Sequence, residues 1–231
     1  VSTSIMPNRP DNKTVRPKRP TGAPRPRAGR PTRERQQQRV EELLDVALDT
    51  FLEHGFEQTT VEQIATRVGM SKRTVYAYHI DKEALFRAAV RRAIEAYTVP
   101  RDAIAALVTD NLERTLRAIA QQRIANLARP VSIKLQRILA AQAYRFPELF
   151  GAMFEHGAGP VIDVLAGLFA RHEARGEIAV GDPQQAAAAF LSLVVGGPTR
   201  LIVAGTAPAK AELDAHIDFA VRLFLRGALR R

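Results

Sequence analysis

The chain contains no cysteine and no tryptophan, and aromatic residues make up 6% of its 231 positions. Without cysteine there is no disulfide framework, thiolate nucleophile or zinc-thiolate site, which fits a reducing, cytoplasmic setting. The five histidines, His54, His79, His156, His172 and His216, never fall at an HExxH or similar spacing. Neither a Gly-rich phosphate loop nor a nucleophile elbow is present, so the sequence offers no catalytic constellation, metal site or cofactor. Alternating strand-like patterning is also missing. No opening segment joins a basic stretch to an apolar one, so no secretory signal is expected. The most apolar run, residues 186–197, is interrupted by Ser192, Gly196-Gly197-Pro198 and Arg200 before reaching the roughly 20 residues of a membrane span. The sequence therefore predicts a protein with no membrane partner.

What is present is basic and unevenly placed. Of the net charge of +10, residues 1–35 carry +8, together with seven of the fourteen prolines and six hydrophobic residues. Such a segment buries too little apolar area to offset its ordering entropy, so residues 1–33 are expected to form a disordered basic arm. Arg27 and Arg30, around Gly29-Arg30-Pro31, suit an A·T-rich minor groove. A solvating or nonspecifically sticky tail is the plainer reading of the same residues.

Helical periodicity begins near Arg33, where Val40, Leu44, Ala47, Leu48 and Phe51 form an apolar stripe ending at Gly55. Thr60-x-x-Gln63 reads as a capping box, and Val61, Ile64, Ala65 and Val68 as the buried side of a two-turn helix. Gly69 supplies a turn. Ser71 caps a third helix with Val75 inward, and Asp81 caps a fourth running towards Tyr97. Two short helices joined by a tight turn, the second starting Lys72-Arg73, have the layout of a DNA-reading helix-turn-helix. Positive charge is local here, at Arg67, Lys72, Arg73 and Lys82, because residues 36–98 hold eight basic and ten acidic side chains.

This segment resembles the DNA-binding domain of the TetR family of bacterial transcriptional regulators. The matching residues are Gly55-Phe56, Thr59-Thr60, Ile64-Ala65, Val68-Gly69, Ser71, Thr74-Val75-Tyr76, Tyr78 and Lys82-Glu83 with Leu85. One departure is His79, where the family usually has a packing Phe; His79 is an alternative phosphate contact. The resemblance implies that Lys72, Arg73, Thr74 and Tyr76 face the groove of double-stranded DNA, with Thr60, Tyr78 and Lys82 on its backbone. Thr60 has an equally good reading as a cap alone, and Tyr76 as a packing ring.

The fold class expected is all-α: an N-terminal three-helix helix-turn-helix domain, residues 34–81, and a larger helical ligand-binding and dimerisation domain, residues 82–231. Helices are expected at 102–128, 131–145, 147–174 with a break near Gly157-Ala158-Gly159-Pro160, 183–204 and 209–229. Asp182-Pro183-Gln184-Gln185 is a helix start. The run Tyr144-Arg145-Phe146-Pro147-Glu148-Leu149, with Gly159-Pro160, Arg175-Gly176-Glu177 and Asp182-Pro183, is similar to the AefR-like C-terminal group of TetR regulators. That likeness implies a homodimer through the last two helices. Phe190, Leu191, Leu193, Val194 and Val195 add to it, being more apolar than one protomer's core requires, as does the Phe219, Leu223, Phe224 stripe.

A small-molecule effector is the remaining expectation. Asn111 and Thr115 interrupt an apolar series and are candidates to orient a ligand, or else are hydrogen-bonded core groups. Arg137, Tyr144, Met153 and Phe154 are further wall candidates. The expected function is a sequence-specific regulator, usually a repressor, released from a palindromic operator by its effector. The alternative is an architectural DNA protein that binds through its arm without regard to sequence.

Overall fold

The computed structural model describes Val1 and residues 33–228. Arg27, Arg30 and the rest of residues 2–32 of the expected arm lie outside the described residues, and Arg33 already belongs to the first helix. Helices account for nearly all the regular structure: α1 (Arg33–Gln58), α2 (Val61–Val68), α3 (Lys72–Tyr78) and α4 (Lys82–Tyr97) come first. They are followed by α5 (Arg101–Ala105), α6 (Leu112–Leu127), α7 (Pro130–Ala141), α8 (Pro147–Met153), α9 (Gly159–Ala174), α10 (Pro183–Ala204) and α11 (Lys210–Ala228).

The first core centres on Leu43, Ala47 and Phe51 of α1, against Ile64 of α2, Val75 of α3 and Leu85, Phe86 and Val90 of α4. Leu43, rather than the expected Leu44, occupies the centre; Leu44 packs at its edge. This core does not stop at the DNA-binding helices. Leu135 and Leu139 of α7, Phe146, and Leu149 of α8 belong to it. Phe146 lies 5.3 Å from the Phe56 ring and 4.9 Å from that of Phe86. The second core joins α6, α9, α10 and α11 through Leu116, Ile119, Leu165, Phe169, Phe190 and Val221.

Two expected spans are corrected. The predicted 102–128 helix is two helices, because Asn111 caps α6 by accepting the Arg114 N–H at 2.8 Å and the chain turns beforehand. The predicted break near Gly157–Pro160 is a π-helical turn over Phe154–Ala158 that links α8 to α9. Gly159 N–H donates to the Phe154 carbonyl five residues back, and Pro160 has no N–H to continue an α ladder.

Helix α10 is one continuous helix through Pro198, long and apolar enough by length and composition alone to cross a membrane. A third of that apolar stretch is buried, with Ala187, Phe190, Leu191 and Val194 in the second core. Phe190, Leu191 and Val194 are 0%, 4% and 0% exposed, so one protomer's core does accommodate them. Exposed apolar side chains on the last two helices are Leu201 of α10 and Phe219 and Leu223 of α11, the latter two 57% and 50% exposed.

Candidate nucleic-acid interface and effector cavity

The turn between α2 and α3 is built from short-range hydrogen bonds. Thr60 Oγ1 accepts the Gln63 N–H at 3.2 Å while Gln63 Oε1 accepts the Thr60 N–H at 2.8 Å, a closed capping box. Gly69, at φ 67°, ends α2 in the left-handed conformation that suits glycine, and its N–H reaches the Ala65 and Thr66 carbonyls. Ser71 Oγ accepts the Thr74 N–H at 3.1 Å and also meets the Thr74 hydroxyl at 2.8 Å. Val75 is the one α3 residue fully buried, so Lys72, Arg73 and Tyr76 are left facing outward. Thr74 and Tyr78 are half-buried.

Four cations expected near the turn behave differently. Arg67 makes a two-pronged pair with Glu53, at 2.6 and 3.0 Å. Lys72 is paired with Glu62 and lies over the Tyr76 ring. Lys82 Nζ donates to the carbonyls of Phe56, Glu57 and Thr59 at 3.0, 3.4 and 3.1 Å, closing the end of α1. Of the four, Arg73 alone has neither ion pair nor hydrogen bond among the described residues, and it is exposed. Positive charge at the turn is thus narrower than residue counting suggests, and Lys82 has a structural task.

His79 ends α3 half-buried, with Nε2 enclosed and no hydrogen-bond partner for it among the described residues. Burial lowers its pKa and favours the neutral ring. The ring at this junction is thus half-buried and held towards its neutral form.

The Tyr144–Leu149 run joins the two halves. Arg145 pairs with Glu83 of α4 at 2.6 Å and Glu57 of α1 at 3.0 Å, and stacks over the Phe56 ring at 4.6 Å. Arg87 bridges Glu83 at 3.2 Å and Glu148 at 2.8 Å. Arg145 and Arg87 hold the Glu83 carboxyl below the usual carboxylate range, the Arg145 hydrogen bond being the largest cause. Phe146 plugs between them into the first core. The run is therefore a connector, which its sequence signal did not show.

Of the expected ligand residues, Met153 alone lines the cavities beside α7. A cavity of about 480 Å³ lies between α7, α8 and α10, with Gln136, Leu139, Phe150, Met153, Thr199 and Val203 in its wall. Behind Gln136 and Met153 is a smaller one of about 40 Å³, reaching Ile94, Tyr97 and Thr98 at the end of α4 and Arg123 of α6. Asn111 is the α6 cap, and Thr115 is buried with its hydroxyl on the Thr109 N–H at 2.9 Å, so both are structural. Arg137 Nε donates to the Val203 carbonyl at 2.7 Å, at the end of α10. Tyr144 is 104% exposed, and Phe154 also points to solvent. Arg123, Gln136 and Thr199 were missed. Arg123 had a visible signal, a charge at helical spacing from the buried Ile119 and Ala120.

Two short capped helices, α2 and α3, packed on α1 and α4 with a cavity domain behind, define a helix-turn-helix DNA-binding regulator. Residues 43–89 match the family described as bacterial regulatory proteins, tetR family, and residues 114–227 match the AefR-like transcriptional repressor C-terminal domain. The structure resembles a TetR-family regulator from Mesorhizobium loti MAFF303099, with TM-score 0.72, 30% identity, and coverage of 85% of this chain and 99% of the other. It is similar also to the flavonoid-responsive regulator FrrA, with TM-score 0.68, 30% identity, and coverage of 84% and 99%. Escherichia coli K12 RutR, an HTH-type transcriptional regulator, is 41% identical over 58 residues, 25% of this chain and 27% of RutR. The matched stretch thus spans about a quarter of that curated relative's length. The chain belongs to the TetR family of bacterial transcriptional regulators, whose members bind DNA and are typically repressors and dimers.

Proposed function

We propose that the protein is a repressor that reads an inverted-repeat operator as a homodimer and leaves it when a small molecule fills the cavity beside α7. The observation that carries this reading is the reading helix itself. Its N-terminus is capped, its inner side is anchored by Val75, and Arg73 projects outward unpaired. Such an arginine fits a guanine edge in the major groove. Lys72 would exchange Glu62 for a phosphate, Thr74 and Tyr76 complete the groove face, and Thr60 and Tyr78 lie on the backbone side.

One seven-residue helix has little selectivity alone. Two of them held roughly 34–36 Å apart would match half-sites one duplex turn apart. The exposed Phe219 and Leu223 of α11, with the solvent-facing Ala189 and Ser192 of α10, support pairing through the last two helices. FrrA's description as flavonoid-responsive supports a small-molecule effector for this chain as well. Bases in the arm, at Arg27 and Arg30, would add minor-groove contacts. The setting for this function is the cytoplasm.

A footprint of the purified dimer on the DNA upstream of its own gene tests the reading. Protection of an inverted repeat with half-sites about 10 base pairs apart, abolished by inserting about half a turn between them, is expected. Uniform protection, or binding lost entirely when residues 1–33 are removed, would favour an architectural protein instead.

A further inference from the structure

Three enclosed side-chain atoms around the two cavities have no hydrogen-bond partner among the described residues: Arg123 Nε, Gln136 Nε2 and Thr199 Oγ1. All three can donate, and the first two can only donate. Arg123 is 6% exposed, and no acid among the described residues pairs with it. A buried, unpaired guanidinium is strongly unfavourable, and burial indeed pushes its pKa down. Enclosed donors that share one cavity system and find no acceptor among the described residues point to a ligand that accepts hydrogen bonds.

We propose that the effector is an amphipathic monoanion, a carboxylate on an apolar body, whose oxyanion meets Arg123 and Gln136 while the body lies in the larger cavity against Leu139, Phe150 and Val203. The inference rests on the repressor reading for its biological sense, but its chemistry is independent of DNA. Among the described residues, Arg123 is the one buried cation lining the two cavities, because Arg200 of the larger one is exposed with its Nε on the Gly196 carbonyl at 3.2 Å, and a single enclosed charge suits a monoanion. The smaller cavity, at about 40 Å³, admits the carboxylate once Met153 swings aside, and Met is well able to do so. Its far wall is Ile94, Tyr97 and Thr98, so an occupant there presses on the end of α4, the helix that begins beside the reading head at Lys82.

The test uses the full-length dimer and two probes of the same shape, 2-naphthoate and 2-naphthamide, in calorimetric titrations without DNA. The naphthoate should bind about tenfold or more tightly than the amide, as a charge-assisted contact implies. Arg123→Met should erase that preference, and Arg123→Lys should keep part of it. The Tm of Arg123→Met should equal or exceed that of the wild type, since an unpaired charge is removed, whereas an arginine with a purely structural role would give a fall. Equal affinities, no binding of either probe, an undiminished preference in Arg123→Met, or a marked drop in its Tm would each overturn the proposal. Operator binding measured without probe keeps the two readings separate: a protein that recognises its operator but ignores probe charge refutes the anion site alone.

Discussion

The reading head and the effector cavity treat polar groups in opposite ways. Around the α2–α3 turn, Thr60, Gln63, Ser71 and Thr74 find partners within three residues, so the head is assembled before DNA arrives. Around the cavity, Arg123 Nε, Gln136 Nε2 and Thr199 Oγ1 are enclosed with no hydrogen-bond partner among the described residues. A preformed head reads with little ordering cost, while an unfinished cavity gives a guest something to change. Between the two stands Phe146, which belongs by sequence to the cavity half and by packing to the core of the head.

The largest effect is expected from removing that plug. Phe146→Ala should cost about 3–5 kcal/mol of stability in urea unfolding, as for other buried aromatic truncations. If the two halves were independent, it would leave the unfolding of the DNA-binding helices untouched. Next, Arg73→Ala should weaken binding to a matched operator by about 1–3 kcal/mol in anisotropy titrations, with much less change on a scrambled duplex. Equal losses on both would make Arg73 a phosphate contact. Smaller still, Thr60→Ala and Asn111→Ala should each cost about 1 kcal/mol as lost helix caps. Asn111→Ala should leave naphthoate affinity unchanged, which separates a cap from a ligand contact.

The mildest effect concerns His79. Its folded pKa is lowered, so the unfolded chain binds more protons in that range. Stability is full above the ordinary value of 6.5 and declines as pH falls from there towards the folded pKa. His79→Phe should remove this component, and thermal melts between pH 8 and pH 5, bracketing that value, would show it. An identical pH dependence in the variant would mean the ring is not the titrating group.

Local features were legible in the sequence because they are made locally. The Thr60 box, the Ser71 and Asp81 caps, and the Asp182 cap with Pro183 at the first position of α10 are all formed as the spacing predicts. Asn111 carries a cap signal that competes with its place inside the helix expected at 102–128, and the cap prevails. Arg123 lies on the apolar face of α6 by the same periodicity that marks Ile119 and Ala120. Long-range arrangements were not legible. Nothing in Tyr144–Leu149 indicates that Phe146 would reach Phe56 and Phe86, or that Lys82 would close the end of α1. Those contacts depend on how α4 and α8 are set side by side.

A dimer of this chain is expected to distinguish one duplex sequence from another through α3. The most direct test is a competition titration at one moderate salt concentration, matching the protected repeat against a scrambled duplex of the same base composition. A preference of about 10³ or more is expected for the repeat. Equal affinity for the two duplexes would contradict the account.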